Sequence, residues 1–200
     1  NLLVLWVVSQ GSATLPAAIA GWSIAIQEPG TTCSSSIYYK VATGGDAQPT
    51  VALIASSVLS CQLAEFSGGA TASPLDQTGV AAGTTSTQTA TAGGVDKSVG
   101  ELLIVCAGNF YSSSSGTKTG SVTSNNATLT TTTNQGAAIV DEYVLAYGVT
   151  TTKAAADNSV FTFSITHETG AALAIASFKL AFAKPWPYPS FVPQIRASSW

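Results

Sequence analysis

Charged side chains are scarce in this sequence: Asp, Glu, Lys and Arg make up 8% of its 200 residues, about a third of the share usual in soluble domains. The seven basic residues are scattered between Lys40 and Arg196. No patch of them would neutralise several phosphates, which argues against nucleic acid and anionic membranes as partners. Histidine occurs once, methionine never and cysteine three times. One histidine and three widely spaced cysteines without a CxxC pair make no zinc set. Without methionine, Asn1 is not a translation start, and a further segment is expected before it. No stretch of a dozen residues carries a 3.6-residue apolar period, so helix is expected to be nearly absent. The apolar run 2–8 is too short to span a bilayer and lacks the basic flank of a signal peptide; it reads as a strand.

What is present is apolar and small. Hydrophobic residues make up 46%, mean hydropathy is +0.32 and the formal net charge is -3, the opposite of a disordered composition. Serine, threonine, alanine and glycine fill the remaining positions, which implies a neutral, hydroxyl-rich surface. Copies of such a chain repel one another little, and this suits a subunit covered by neighbours in an assembly. The other reading of the composition is a secreted, Thr-rich monomer.

Short apolar runs bounded by Gly, Pro, Asn, Ser and Thr predict strands at 2–8, 22–27, 35–42, 50–55 and 58–66, then at 101–107, 127–132, 137–147, 159–165 and 171–182. The two sets correspond. Leu2-Leu3-Val4-Leu5 matches Leu102-Leu103-Ile104-Val105, and Gln62-Leu63-Ala64-Glu65-Phe66 matches Ala174-Ile175-Ala176-Ser177-Phe178. The expected fold class is therefore all-β, an antiparallel, jelly-roll-like β-sandwich. It is one domain over 1–182, built from two related five-to-six-strand halves, 1–67 and 101–182. The continuous apolar strands need cover on both faces, whereas Trp22-Ser23-Ile24-Ala25-Ile26 alternates and suits a half-exposed sheet. The connecting segment 68–100 is expected to carry one strand, at 84–91. Its counterpart in the first half would precede residue 1, which predicts an open sheet edge there.

Chemistry is hard to find. His167 falls in a predicted turn with no GxSxG elbow to supply a nucleophile. Asp141 and Glu142 are adjacent in a strand and point to opposite faces, so they do not converge on one glycosidic bond. The remaining carboxylates sit in turns without a calcium-loop pattern, and Gly93-Gly94-Val95-Asp96-Lys97 lacks phosphate-loop spacing. No catalytic residue, cofactor or metal is expected. Cys106 lies in an apolar strand as a small buried hydrophobe; Cys33 and Cys61 could pair if their strands are neighbours. The sequon at Asn126 carries no weight. Most aromatics read as core, which leaves little for a sugar platform.

After Phe182 the pattern changes to an arm over 183–200 with proline at alternate positions, which forbids helix and interior strand. Its Pro185, Trp186, Pro187, Tyr188, Pro189 and Phe191, with Trp200, are the candidate assembly contacts. The arm suits either docking into a neighbour's groove or folding back over its own sandwich.

Several short motifs, in order, carry a resemblance. They are Pro16 and Gly21-Trp22 after the first strand, Tyr38-Tyr39-Lys40-Val41-Ala42, Ala64-Glu65-Phe66-Ser67-Gly68, Pro74-Leu75-Asp76, Glu101-Leu102-Leu103-Ile104-Val105 and the stretch 174–182. Together they resemble β-sandwich structural proteins of tailed-phage virions, found as decoration, tail or fibre components. The resemblance implies a non-enzymatic, multicopy protein of an extracellular particle. Its partners would be copies of itself and other virion proteins. The alternative is a carbohydrate- or receptor-binding module whose partner is a surface glycan.

Overall fold

The computed structural model describes residues 1–10, 15–52, 59–84, 87–92, 100–111, 120–135, 141–151, 157–163 and 168–181. The first six strands are β1 (Leu2–Gln10), β2 (Ser23–Pro29), β3 (Cys33–Val41), β4 (Leu59–Phe66), β5 (Leu75–Gly83) and β6 (Thr87–Ala92). They are followed by β7 (Leu102–Tyr111), β8 (Gly120–Ser124), β9 (Thr130–Gln135), β10 (Asp141–Val149), β11 (Asp157–Phe163) and β12 (Glu168–Phe178). The protein is all-β, and its antiparallel sheets form a β-sandwich. Strands β2-β3-β1-β4 make a first sheet, β5-β12-β7-β10-β9 a central sheet and β6-β11-β8 a third.

The sheets stack because the central strands have no polar face to offer water. In β7 every residue from Leu102 to Ala107 is fully buried. Side chains alternate across a strand, so Leu102, Ile104 and Cys106 meet Val4, Trp6, Ile37 and Phe66 of the first sheet. Leu103, Val105 and Ala107 pack instead with Phe161, Val122 and Ala90 of the third sheet. Rings fill the space between the first two sheets: Phe66 stands edge-on to Tyr147 at 5.3 Å and to Trp6 at 6.1 Å. The first sheet is apolar on its outer face too, where Leu5, Val7 and Tyr38 pack with Ile19 and Trp22 from the loop before β2.

Serine replaces charge in this interior. The Ser9 and Ser34 hydroxyls bond each other, and Ser35 Oγ donates to the Ala172 carbonyl at 2.9 Å, tying β3 to β12. Buried polar groups with partners cost little, and these are short enough not to disturb the packing.

Several sequence expectations need correction. A jelly roll alternates successive strands between facing sheets, but β1 to β4 all lie in one sheet. The connecting segment carries two strands, β5 and β6, rather than one. The expected strand at 127–132 is replaced by β8 and β9, with Ala127 making only an isolated bridge to Thr150. Of the expected strand at 50–55, residues 50–52 are irregular and the rest lies outside the described residues. Strand β12 ends at Phe178, short of 182.

Strand β5 escapes sequence patterning because its centre is small. A Cβ on Gly79 would lie 2.1 Å from the Thr91 carbonyl oxygen, so this glycine lets β5 of the central sheet touch the backbone of β6 in the third. Gly79→Ala is expected to lower stability by about 1–3 kcal/mol, the range for overpacking at a rigid contact. Chemical denaturation would show this as a lower midpoint; an unchanged midpoint would mean that the two strands are free to separate.

Candidate assembly surface

The arm residues singled out from sequence, Pro185, Trp186, Pro187, Tyr188, Pro189, Phe191 and Trp200, lie outside the described residues, as do His167 and 93–97. What the structure brings together is the surface at which that arm begins. Beyond β12, Leu180 bridges Gly69, and the Ala181 N–H donates to the Gly68 carbonyl at 2.7 Å. Gly68 stands two residues past the end of β4, in a turn at φ 77°, where glycine is favoured. The chain therefore reaches Ala181 next to the lower end of β4, which is an edge strand of the first sheet.

The backbone direction of that edge follows from one hydrogen bond. Ala42 N–H donates to the Asn1 carbonyl at 3.0 Å, so Asn1 faces the β3 side. Because antiparallel ladders alternate, Leu2, Val4, Trp6 and Val8 face β4, where they oppose Phe66, Ala64, Gln62 and Ser60. Leu59, Cys61, Leu63 and Glu65 then direct their N–H and C=O groups to the side of β4 on which no strand stands among the described residues. Three of these residues, Leu59, Cys61 and Leu63, also pack their half-buried side chains on the outer apolar cluster around Leu5 and Val7. That side of β4 and the apolar outer face adjoin, whereas the open edge expected before residue 1 is not found at β1, which pairs with β3 on one side and β4 on the other.

A polar seam borders this face. Gln27 Nε2 donates to Tyr38 Oη at 2.9 Å, and Tyr38 Oη donates to the Pro16 carbonyl at 3.1 Å. Burial pushes the Tyr38 phenol up to about 12, so it remains a neutral donor. The three cysteines are free thiols. Cys33 opposes Gln10 on one side of β1 and Cys61 opposes Val7 on the other. Two strand spacings, roughly 9–10 Å, separate their strands, beyond disulfide reach. Burial raises the Cys106 thiol to about 12, with its Sγ aimed at the Val7 carbonyl at 3.7 Å.

Described aromatic rings are spent in the core: Trp6 and Tyr38 are buried, and Trp22, Tyr39 and Tyr147 pack against the clusters. Asn126 of the sequon is also buried. Among the described residues no group of three or more His, Cys, Asp or Glu is arranged to hold a metal ion. No family model, curated protein or solved structure matches the chain.

Charge, where it occurs, is used locally. Lys40 Nζ lies 2.6 Å from Asp46 Oδ1, and Thr43 donates its backbone N–H and hydroxyl to the same carboxylate at 2.8 and 2.9 Å. Lys40 first and these Thr43 bonds next hold the Asp46 carboxyl down to about 2 from an ordinary 3.8. A carboxyl depressed on folding contributes stability above its unfolded pKa and loses it as pH falls through the folded one. The Thr43 amide resonance is expected to titrate with a midpoint near pH 2, and Asp46→Asn to abolish that titration. A midpoint near 3.8 would show that the Lys40 contact does not persist in solution.

Proposed function

We propose that this chain is a non-enzymatic structural protein of a tailed-phage virion. In this reading it is present in many copies as a capsid decoration or a tail or fibre component, and it stabilises the extracellular particle through subunit contacts. The observation that carries the reading is the edge of the central sheet. Strand β9 ends that sheet with the sequence Thr-Thr-Thr-Thr-Asn-Gln, and it has neither charge nor proline. Soluble monomers guard such edges with lysine, proline or bulges, because an unprotected edge pairs with another chain. The four strands behind it belong to the sheet packed between the other two, and they present the edge as a fixed template. The scarcity of charge and the family resemblance point the same way. A glycan-binding role would need aromatic rings at the surface, and the described rings are buried or half-buried against the clusters.

Sedimentation of the purified full-length chain tests this reading. Self-association is expected, and it should change little between about 0.05 and 0.5 M salt, because contacts between uncharged edges are not screened. Thr131, exposed on β9, is the position to perturb. Thr131→Lys places like charges at a paired edge and is expected to weaken association about tenfold, or ~1.4 kcal/mol, with an unchanged circular dichroism spectrum. A chain that stays monomeric at high concentration and retains glycans on an array would overturn the proposal in favour of a binding module.

A further inference from the structure

We propose that strand β9 pairs antiparallel with β9 of a second copy about a two-fold axis at Thr131, joining two central sheets edge to edge in a dimer that closes on itself. The inference rests on the self-association proposed above and names its partner and register. It starts from hydrogen bonds beside the edge. The Thr150 N–H donates to the Glu101 carbonyl at 2.9 Å, toward β7, and the Thr151 N–H donates to the Asn126 carbonyl at 2.8 Å, away from it. Ala127, which bridges Thr150, therefore turns its own backbone groups away from β10. The register holds from there, because Thr130 opposes Tyr147 and Gln135 opposes Glu142. Backbone direction alternates along an antiparallel ladder, so Ala127, Leu129, Thr131, Thr133 and Gln135 all turn their N–H and C=O groups outward. No strand stands beyond them among the described residues.

Thr131 is the middle residue of that row. An antiparallel copy centred on it sets Thr131 against Thr131, Thr133 against Leu129 and Gln135 against Ala127, and every outward group of the row finds a partner. A centre on Thr133 would instead set Leu129 against residue 137, past the end of β9. None of the facing pairs is charged, whereas like charges directly opposite each other destabilise such a ladder.

The other edges offer β9 no equal partner. Strand β2 is broken by the register shift between Ile24 and Ile26. Strand β5 contains Asp76, Gly79 and Gly83, and glycine weakens a strand. Strand β4 carries Glu65, β6 has the backbone of β5 against Thr91, and β8 is 5 residues long. The edge that matches β9 is β9 itself. Pairing between two different edges continues from copy to copy, whereas pairing of one edge with its own copy leaves neither free and closes. The dimer is then the unit from which further contacts in an assembly are built.

Sedimentation and cross-linking of the full-length chain test this contact. An edge pairing is narrower than a standard interface of about 1,600 Å², so the dimer should dissociate on dilution; as concentration rises, the mass should climb from one chain to two and stay there. Facing residues that exchange backbone hydrogen bonds have Cα atoms about 5.5 Å apart, within disulfide reach. Thr131 is exposed, and Thr131→Cys, in a Cys61→Ser background that removes the half-buried thiol, should form a covalent dimer under oxidised glutathione. Thr133→Cys should cross-link at least tenfold more slowly, because its two copies would stand about 13 Å apart along the strand. A chain that stays monomeric at every concentration would overturn both this inference and the reading it rests on. Self-association that grows past two chains, or cross-linking at 133 as fast as at 131, would leave that reading standing and overturn the two-fold β9 contact.

Discussion

The whole arrangement depends on strands that have no face to give to water. Strand β7 is buried on both sides from Leu102 to Ala107, and β12 is fully buried from Ala171 to Phe178. A sheet built on such strands is unstable with one layer of cover, because each exposed apolar side chain forgoes roughly 1.5–3 kcal/mol of transfer free energy. The first and third sheets answer that requirement from opposite sides. The placement of β5 and β6 follows as well: the hairpin leaves the central sheet at Gly83 and begins the third sheet at Thr87, so one short segment extends one layer and founds another.

This constraint was legible in the sequence where side-chain chemistry expressed it. The uninterrupted apolar runs of β1 and β7 implied two-sided burial, and the alternation of Trp22-Ser23-Ile24-Ala25-Ile26 implied a half-exposed sheet, where Ile24 is in fact 43% exposed. Strands specified by close approach were not legible. Strand β5 reads Leu-Asp-Gln-Thr-Gly-Val-Ala-Ala-Gly, with little β propensity, because Gly79 must touch backbone and Gly83 faces the Gln88 amide. The same limit explains why the third sheet was not foreseen: its buried contributions are Ala90, Ala92, Val122 and Phe161, single residues in polar surroundings. The arm was conspicuous for its prolines, and it lies outside the described residues.

The shortage of charge has two consequences that pull against each other. Inside, it allows Ser34, Ser35 and Ser36 to be completely buried in β3, since a hydroxyl reaches a neighbouring carbonyl or hydroxyl without the desolvation cost of an ion. Ion pairs stand at strand ends, such as Lys40 near the end of β3 with Asp46 beyond it, and Asp76 near the start of β5 with Lys179 just past β12. Outside, the surface has almost nothing with which to hold a second copy away.

The edges decide how that second consequence is expressed. Strand β2 is interrupted by a register shift between Ile24 and Ile26, a bulge that twists an edge and spoils it as a template. Strand β9 pairs with β10 in continuous register from Glu142 opposite Gln135 to Tyr147 opposite Thr130, so its outer side repeats evenly. An even, uncharged, threonine-rich edge pairs through backbone alone and places few demands on its partner's sequence. In the assembly proposed for this chain, selectivity would come from geometry, from the fixed angle at which a sheet clamped between two others presents that edge. A rigid three-layer stack supplies such an angle, which a lone sheet free to twist would not.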